Sequence, residues 1–184
     1  GFPARLFRVS FTGELGFEVN VPARHGLALW EKLMEAGQQY GIVPAGIGVY
    51  ATTARMEKSY CLYGNELDTE YNAFECGLAR RTVKPQDFIG KKAYLEQAAE
   101  KPAAILCTLT VDSHISSSGQ PRFMLGREPV LDSAGNPIVD NKGRRSFVTS
   151  AGAAPGLGKH RLMTYLPPEL AVPGIKLQGE CFSE

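Results

Sequence analysis

The sequence predicts an α+β fold in two parts, with a hairpin and helices over residues 1–101 and short antiparallel strands over residues 102–184. Three observations predict it. Phe7, Val9 and Phe11, and then Phe17, Val19 and Val21, alternate with polar residues at the period of half-buried strands. Leu27, Trp30, Leu33 and Met34 recur at helical spacing. Beyond Ala103 the helical period disappears, and glycines and prolines cut the chain into short apolar runs.

The stretch from Phe7 to Val21 reads as a hairpin whose arms share one apolar face. Gly13 and Gly16 supply positive-φ freedom for a connection of about four or five residues. Glu18 then points to the opposite face, where it either meets solvent or lines a cleft. An amphipathic helix follows from Ala23 to Tyr40 and packs on the hairpin, with Glu31, Lys32 and Glu35 on its polar side. Pro44 opens a second helix that runs to about Lys58. Arg55 and Glu57 fall inside this helix, and the pattern leaves open whether both reach water.

Gly64-Asn65 marks a turn and Asp68 to Asn72 a polar loop, ahead of a short strand near Leu78 to Val83. A helix from Lys91 to about Ala99 carries Ala93, Leu95 and Ala98 on one side, and Glu100-Lys101-Pro102 ends it at the boundary between the two parts. In the second part Ile105 to Val111, Glu128 to Leu131, Pro137 to Val139, Arg145 to Ser150 and Ile175 to Phe182 read as strands of a small barrel or two-sheet structure. Asp132 to Asn136 is a strong turn. Gly152 to Gly158 reads as a small-residue loop that lacks the GxxxxGK[ST] spacing of a phosphate cradle.

Composition narrows the function. A formal charge of +1, with paired bases only at Arg80–Arg81, Lys91–Lys92 and Arg144–Arg145, reads as solvated surface and disfavours a nucleic-acid partner. No apolar run approaches the ~20 residues of a membrane span, so no membrane partner is expected. Cys61, Cys76, Cys107 and Cys181 form no CxxC and have no histidine at ligand spacing, which excludes a recognisable zinc or redox pair and fits a reducing, cytoplasmic location. Cys107 and Cys181 fall on apolar strand positions and read as buried thiols. His25, His114 and His160 lack a partnering carboxylate or thiol at relay spacing and read as ordinary surface or loop residues, and Ser116 to Gly119 as a flexible loop. The Gly-Phe-Pro start, without Met and close to a strand, is expected of a piece of a longer protein.

Glu18 remains the group with chemical promise. A partly buried carboxylate needs paired donors, and a flat heterocycle with an amino group beside a ring N–H supplies two in a fork. Pterins and guanines carry that edge, and a solvated glutamate is the other reading.

In order along the chain, FTGELGFEVNVP, LALWEKLMEAG with GIVPAG, ARMEKSYCLYGNELD and DFIGKKAYL resemble the folate-binding aminomethyltransferase family. GREPVLDSAGNPIV, FVTSAG, PGLGKHRLMTYLPPE and VPGIKL look like the barrel domain that closes those proteins. The family includes the T-protein of the glycine cleavage system and the C-terminal halves of sarcosine and dimethylglycine oxidases and dehydrogenases. SFTGELGFEVNVP and RMEKSY look closer to the oxidase branch than to the T-protein text YTGEDGFE and RLEAG. The resemblance implies the second part of a folate-binding α/β sandwich over residues 1–101 and a small antiparallel β-barrel over 102–184. It further implies transfer of a one-carbon unit from a methylated amine or glycine derivative to tetrahydrofolate.

By position the resemblance makes Glu18 the acid that grips the pterin edge, Phe11 an aromatic lining the pocket and Tyr60 an aromatic further along its wall. Two positions depart from the family: its pocket arginine is Ala51 here, and the tryptophan after the GL dipeptide is Arg80. The family's catalytic aspartate belongs to a first half with no counterpart in this sequence, so the missing N-terminal half is an expected partner and the isolated chain is expected to be inactive. A flavin in an upstream domain, a non-catalytic folate-fold scaffold, and a demethylase of sulfur or aryl methyl compounds stay open as alternatives.

Overall fold

A computed structural model describes residues 1–80, 82–116 and 118–181. The hairpin forms, but shorter and earlier than its alternation predicts. Strand β1 is Arg5–Phe7 and pairs antiparallel with β2, Glu18–Asn20, placing Phe7 opposite Glu18. The residues between them are a long loop instead of two strand arms and a tight turn. Gly13, at φ +78°, ends the alternation: the aliphatic stem of Lys58 lies where a side chain would stand, so the loop curls onto the end of the second helix. Val9 and Phe11 are therefore loop residues.

Helix α1 is Gly26–Gly37, extended by 3-10 turns over Ala23–His25 and Gln38–Tyr40. Gly41 stops it in the left-handed region at φ +70°, and the Ile42 side chain folds back over Gly37, where a Cβ would lie only 2.6 Å away. The expected burial of its apolar stripe against the hairpin is absent. No residue of α1 is buried, and Leu27 and Trp30 are 70% and 52% exposed.

The second helix starts later than Pro44 and has a π-helical segment, Val49–Ala54, running into α2, Arg55–Glu57. The Ala51 carbonyl accepts a 2.6 Å bond from Arg55 Nε, which occupies an acceptor of the ordinary ladder. Ser59, at φ 59°, reverses the chain and Tyr60 N returns to Arg55 O at 3.0 Å. The strand expected near Leu78 to Val83 is irregular in its described residues, and Arg81 lies outside them. Helix α3, Lys91–Ala99, matches its prediction, entered through Gly90 at φ 87°.

The second part is built on a sheet of order β3-β6-β5, with β3 Ile105–Val111, β5 Ser150–Ala154 and β6 Lys159–Leu166. Both neighbours run antiparallel to β6. The sequence pattern predicts neither the eight-residue central strand nor β5, which replaces the start of the expected loop from Gly152. β6 escapes pattern reading because Leu162 to Leu166 are all buried, so no alternation survives. β4, Val130–Leu131, pairs with β7, Gln178–Gly179, as a ribbon. The expected strands at Pro137–Val139 and Arg145–Ser150 shrink to single bridges, Leu131 with Pro137, Val139 with Arg145 and Pro129 with Phe147. Phe182, the end of the last expected strand, lies outside the described residues. The Asp132 turn forms as expected, its Oδ1 accepting from Ala134 N and Asn136 N at 2.8 Å.

Val130, Ile138, Val148, Ala151, Leu162 and Leu166 form the main core, with Tyr71, Ala104 and Tyr165 as a second cluster. Tyr71 and Tyr165 stack at 3.5 Å, and Leu106 N donates to Glu75 O at 2.9 Å, so the segment around residues 71–76 is packed on the second part. Among the described residues no helix is long and apolar enough to cross a membrane.

Candidate functional site

Gly13 and the curled loop bring Phe11 beside two rings that belong to the second helix and the turn after it. Its ring centroid lies 5.2 Å from that of Tyr50 and 6.5 Å from that of Tyr60, the latter at an interplanar angle of 26°. Tyr50 and Tyr60 remain about two-fifths exposed, so the three rings form an open aromatic patch. Sequence reasoning pairs Phe11 with Tyr60 and misses Tyr50, whose helical position carries no separate signal. Glu18 stands on β2 with its side chain exposed, and among the described residues it makes neither a hydrogen bond nor an ion pair. Of the two alternatives for Glu18, the structure shows the one that meets solvent: its side chain is exposed and lines neither described cleft.

The turn that carries Tyr60 is held from beneath by charge that the sequence does not distinguish from surface. Arg55 is 2% exposed and Glu66 fully buried, and Arg55 Nη1 meets Glu66 Oε2 at 3.1 Å. Arg55 also donates to the carbonyl of Tyr60 at 3.0 Å and to Ser150 Oγ at 2.7 Å. Glu66 accepts further bonds from Leu62 N at 2.9 Å and Thr149 Oγ1 at 2.6 Å. Every oxygen of this carboxylate has a donor, the condition for burying a charge. Of the two positions left open, Arg55 is buried and Glu57 is turned to the Gly156 amide, which donates to Glu57 Oε1 at 2.6 Å.

Two other groups differ from expectation. Arg144, expected at the surface, reaches Glu75 Oε1 at 2.5 Å and Asp140 Oδ2 at 2.7 Å and lies 4.3 Å over the Tyr71 ring. Burial pushes the Glu75 carboxyl up, but the bonds from Arg144 and the Asn72 amide outweigh it and hold it below the ordinary carboxylate range. His160, expected in a loop, is a buried β6 residue packed edge-on against His114 at 5.2 Å. Burial lowers its pKa, the nearby His114 adds to that, and the Met124 carbonyl and Glu128 oppose it.

Burial raises the Cys61 thiol to about 11 and also pushes that of Cys107 up. Among the described residues no cluster of three or more His, Cys, Asp and Glu side chains is arranged to hold a metal ion. A cleft of about 470 Å³ lies between β3 and residues 174–179, lined by Thr108, Val111, Met124 and Ile175 among others. None of Phe11, Glu18 and Tyr60 lines it. Of the departing positions, Arg80 is exposed and lends its carbonyl to Tyr94 Oη at 2.9 Å, while Ala51 serves Arg55 through its carbonyl.

Comparison with known proteins shows what the chain as a whole is similar to. Residues 1–86 match the model of the GCVT N-terminal domain. The chain is 36% identical over 176 residues to an aminomethyltransferase of Halothermothrix orenii, covering 95% of this chain and 44% of that protein. It is 34% identical over 184 residues to an aminomethyltransferase of Streptomyces coelicolor, covering 97% and 45%. The chain thus spans less than half the length of these curated relatives. The crystal structure of the glycine cleavage system aminomethyltransferase T from Bartonella henselae superimposes with a TM-score of 0.79 at 24% identity, over 97% of this chain and 46% of that one, a likeness of fold. Over residues 1–86 the chain is similar to the GCVT N-terminal domain family, and over nearly its whole length it is similar to part of the aminomethyltransferases.

Proposed function

We propose that this chain is part of an aminomethyltransferase-type enzyme that passes a one-carbon unit from a methylated amine or glycine derivative to tetrahydrofolate. The observation that carries the reading is the convergence of Phe11 and Tyr60, with Tyr50, into an exposed patch of rings on the same part of the chain as the free Glu18 carboxylate. Aromatic faces hold a flat heterocycle by stacking. An ionised carboxylate accepts a forked pair of N–H donors from its edge. Phe11 and Tyr60 line the pterin site in this reading, and Glu18 orients the ring. The likeness to aminomethyltransferases over 95–97% of the chain supports it.

Residues 1–101 then form the second part of a folate-binding sandwich, and residues 102–184 a closing barrel. The polypeptide corresponding to the first half of the relatives completes the pocket and supplies the catalytic acid. The exposure of Leu6, Phe17, Leu27 and Trp30, between 52% and 70%, supports a covering partner over the hairpin and α1. The four free, half-buried cysteines support a reducing cytoplasmic setting. Within the family, the motif wording favours the sarcosine and dimethylglycine oxidase branch. A second reading, a non-catalytic folate-binding scaffold, draws on Ala51 and on the exposed Arg80, neither of which supplies the expected pocket group.

Titration of the full-length protein with tetrahydrofolate tests both. Glu18→Gln is expected to weaken binding about ten- to a hundredfold, the cost of losing a charged hydrogen-bond partner. Unchanged affinity overturns the role of Glu18. Tight binding of tetrahydrofolate without one-carbon transfer from any methylated amine overturns the enzymatic reading in favour of the scaffold.

A further inference from the structure

The turn from Glu57 to Tyr60 is gripped on two sides by arginines that themselves sit outside the aromatic patch. From one side Arg55 Nη1 donates to the Tyr60 carbonyl at 3.0 Å while its Nη2 is tied to Ser150 Oγ on β5 at 2.7 Å. From the other, Arg161 on β6 donates through Nη1 to the Glu57 carbonyl at 2.7 Å and through Nη2 to Ser59 Oγ at 3.0 Å. Between the two grips Ser59 holds φ 59°, a left-handed backbone that a non-glycine residue keeps only when its surroundings impose it. The Arg55 grip is itself fixed: Glu66 takes the same Nη1, and Asn65 Nδ2 shares Ser150 Oγ at 3.0 Å. Gly152, opposite Arg161 on β5, leaves the space in which Thr52 and Met56 approach the sheet.

Resting on the folate reading of Tyr60, we propose that Arg55 and Arg161 are positioning residues that transmit the geometry of the β5–β6 sheet to the Tyr60 ring, so that the second part of the chain sets the affinity of the pterin site it does not line. Both guanidiniums act on main-chain carbonyls of one four-residue turn, and a planar guanidinium presents two donors at fixed angles, which fixes direction as well as distance. Loosening either grip lets the Ser59 strain relax and turns the Tyr60 ring away from Phe11.

The test is a double-mutant cycle on the full-length protein, read as tetrahydrofolate affinity, with Ser150→Ala and Arg161→Met each combined with Tyr60→Ala. The expected result is that Ser150→Ala, Arg161→Met and Tyr60→Ala each weaken binding about three- to tenfold while the combinations are no weaker than Tyr60→Ala alone. A purely stabilising role predicts that Ser150→Ala and Arg161→Met leave affinity unchanged, and an effect on binding that does not pass through Tyr60 predicts that the fold-losses multiply; either result overturns the proposal while leaving the folate site in place. Should Tyr60→Ala leave affinity unchanged, the reading of Tyr60 falls and the proposal with it. Ser150→Ala is the milder change and carries the cycle if Arg161→Met fails to fold. Restoration of affinity by Ser150→Thr, which keeps the hydroxyl on β5, is expected, and its absence counts against the Arg55 grip.

Discussion

Replacing Arg55 with methionine keeps most of the side-chain volume and removes the hydrogen bonds to the Ala51 and Tyr60 carbonyls, to Glu66 and to Ser150 Oγ. Glu66, with no exposed surface, then holds its negative charge with only Leu62 N and Thr149 Oγ1 as donors. Breaking a buried pair on one side costs about 3–5 kcal/mol, because the remaining charge is neither solvated nor neutralised. The two surviving donors place the expected loss near the lower end, about 3 kcal/mol. That is a large part of the ~5–15 kcal/mol that holds a typical domain together. The assay is urea unfolding of the full-length protein followed by circular dichroism, read as the shift in midpoint of the transition that includes these residues. Adding Glu66→Gln to Arg55→Met removes the orphaned charge but keeps an acceptor, and is expected to recover about 1–2 kcal/mol. A loss below about 1 kcal/mol for Arg55→Met, or a double variant less stable than the single, refutes the buried pair as the organiser of this region.

Other consequences follow from the same geometry. Glu75 and Asp140 both sit below their ordinary carboxylate values: burial pushes each up, and hydrogen bonds from Arg144 together with backbone amides overcome it. Their folded-state values are depressed, so their stabilisation is fully present above about pH 4 and is lost as the pH falls through the folded values. Arg144→Met should therefore lower stability at neutral pH by about 3 kcal/mol and flatten this acid limb, as followed by unfolding midpoints from about pH 5 down to the acid transition. His160 has the reverse charge logic, with burial favouring its neutral ring. Stability should fall as the pH drops below the ordinary histidine value of about 6.5, and His160→Gln should remove that component of the pH profile. Gly152→Ala places a Cβ 3.1 Å from Thr52 Cγ2 and 3.2 Å from its carbonyl oxygen. Because one of these is backbone that cannot rotate away, thermal unfolding should reveal a loss of about 1–3 kcal/mol.

Legibility in the sequence tracks how local each signal is. Lys91–Ala99 is legible to the residue because its start glycine, its helix formers and the proline three residues beyond all lie in the same short stretch. Ile105–Val111 is legible likewise from its β-rich run. The hairpin pairing is legible, but its arms are not: an alternation that continues through Val9 and Phe11 cannot be told from a curling loop until Lys58, distant in sequence, is found lying over Gly13. Of the candidate site, Phe11 and Tyr60 are marked only through the family resemblance and lie together, whereas Tyr50 and the buried Arg55–Glu66 pair are not marked. An arginine in a helical pattern carries no sign of whether a carboxylate eleven positions on will meet it.

By itself, then, the sequence determined the α+β class, the positions of α1, α3 and β3, the Asp132 turn and the resemblance to aminomethyltransferases. These rest on side-chain period, on glycine and proline chemistry and on motifs in order, all of them properties of neighbouring residues. Only the tertiary structure decided that Lys159–Leu166 is the central strand, because a strand covered on both faces loses the alternation that would betray it. It alone decided that Arg55, Glu66 and Glu75 are interior and that Arg55 and the partly buried Arg144 satisfy the two carboxylates, because the desolvation of a charge is set by what the whole chain packs around it. Glu18, the residue on which the functional reading turns, was legible as a strand carboxylate, and the fold leaves it exposed and unpartnered among the described residues.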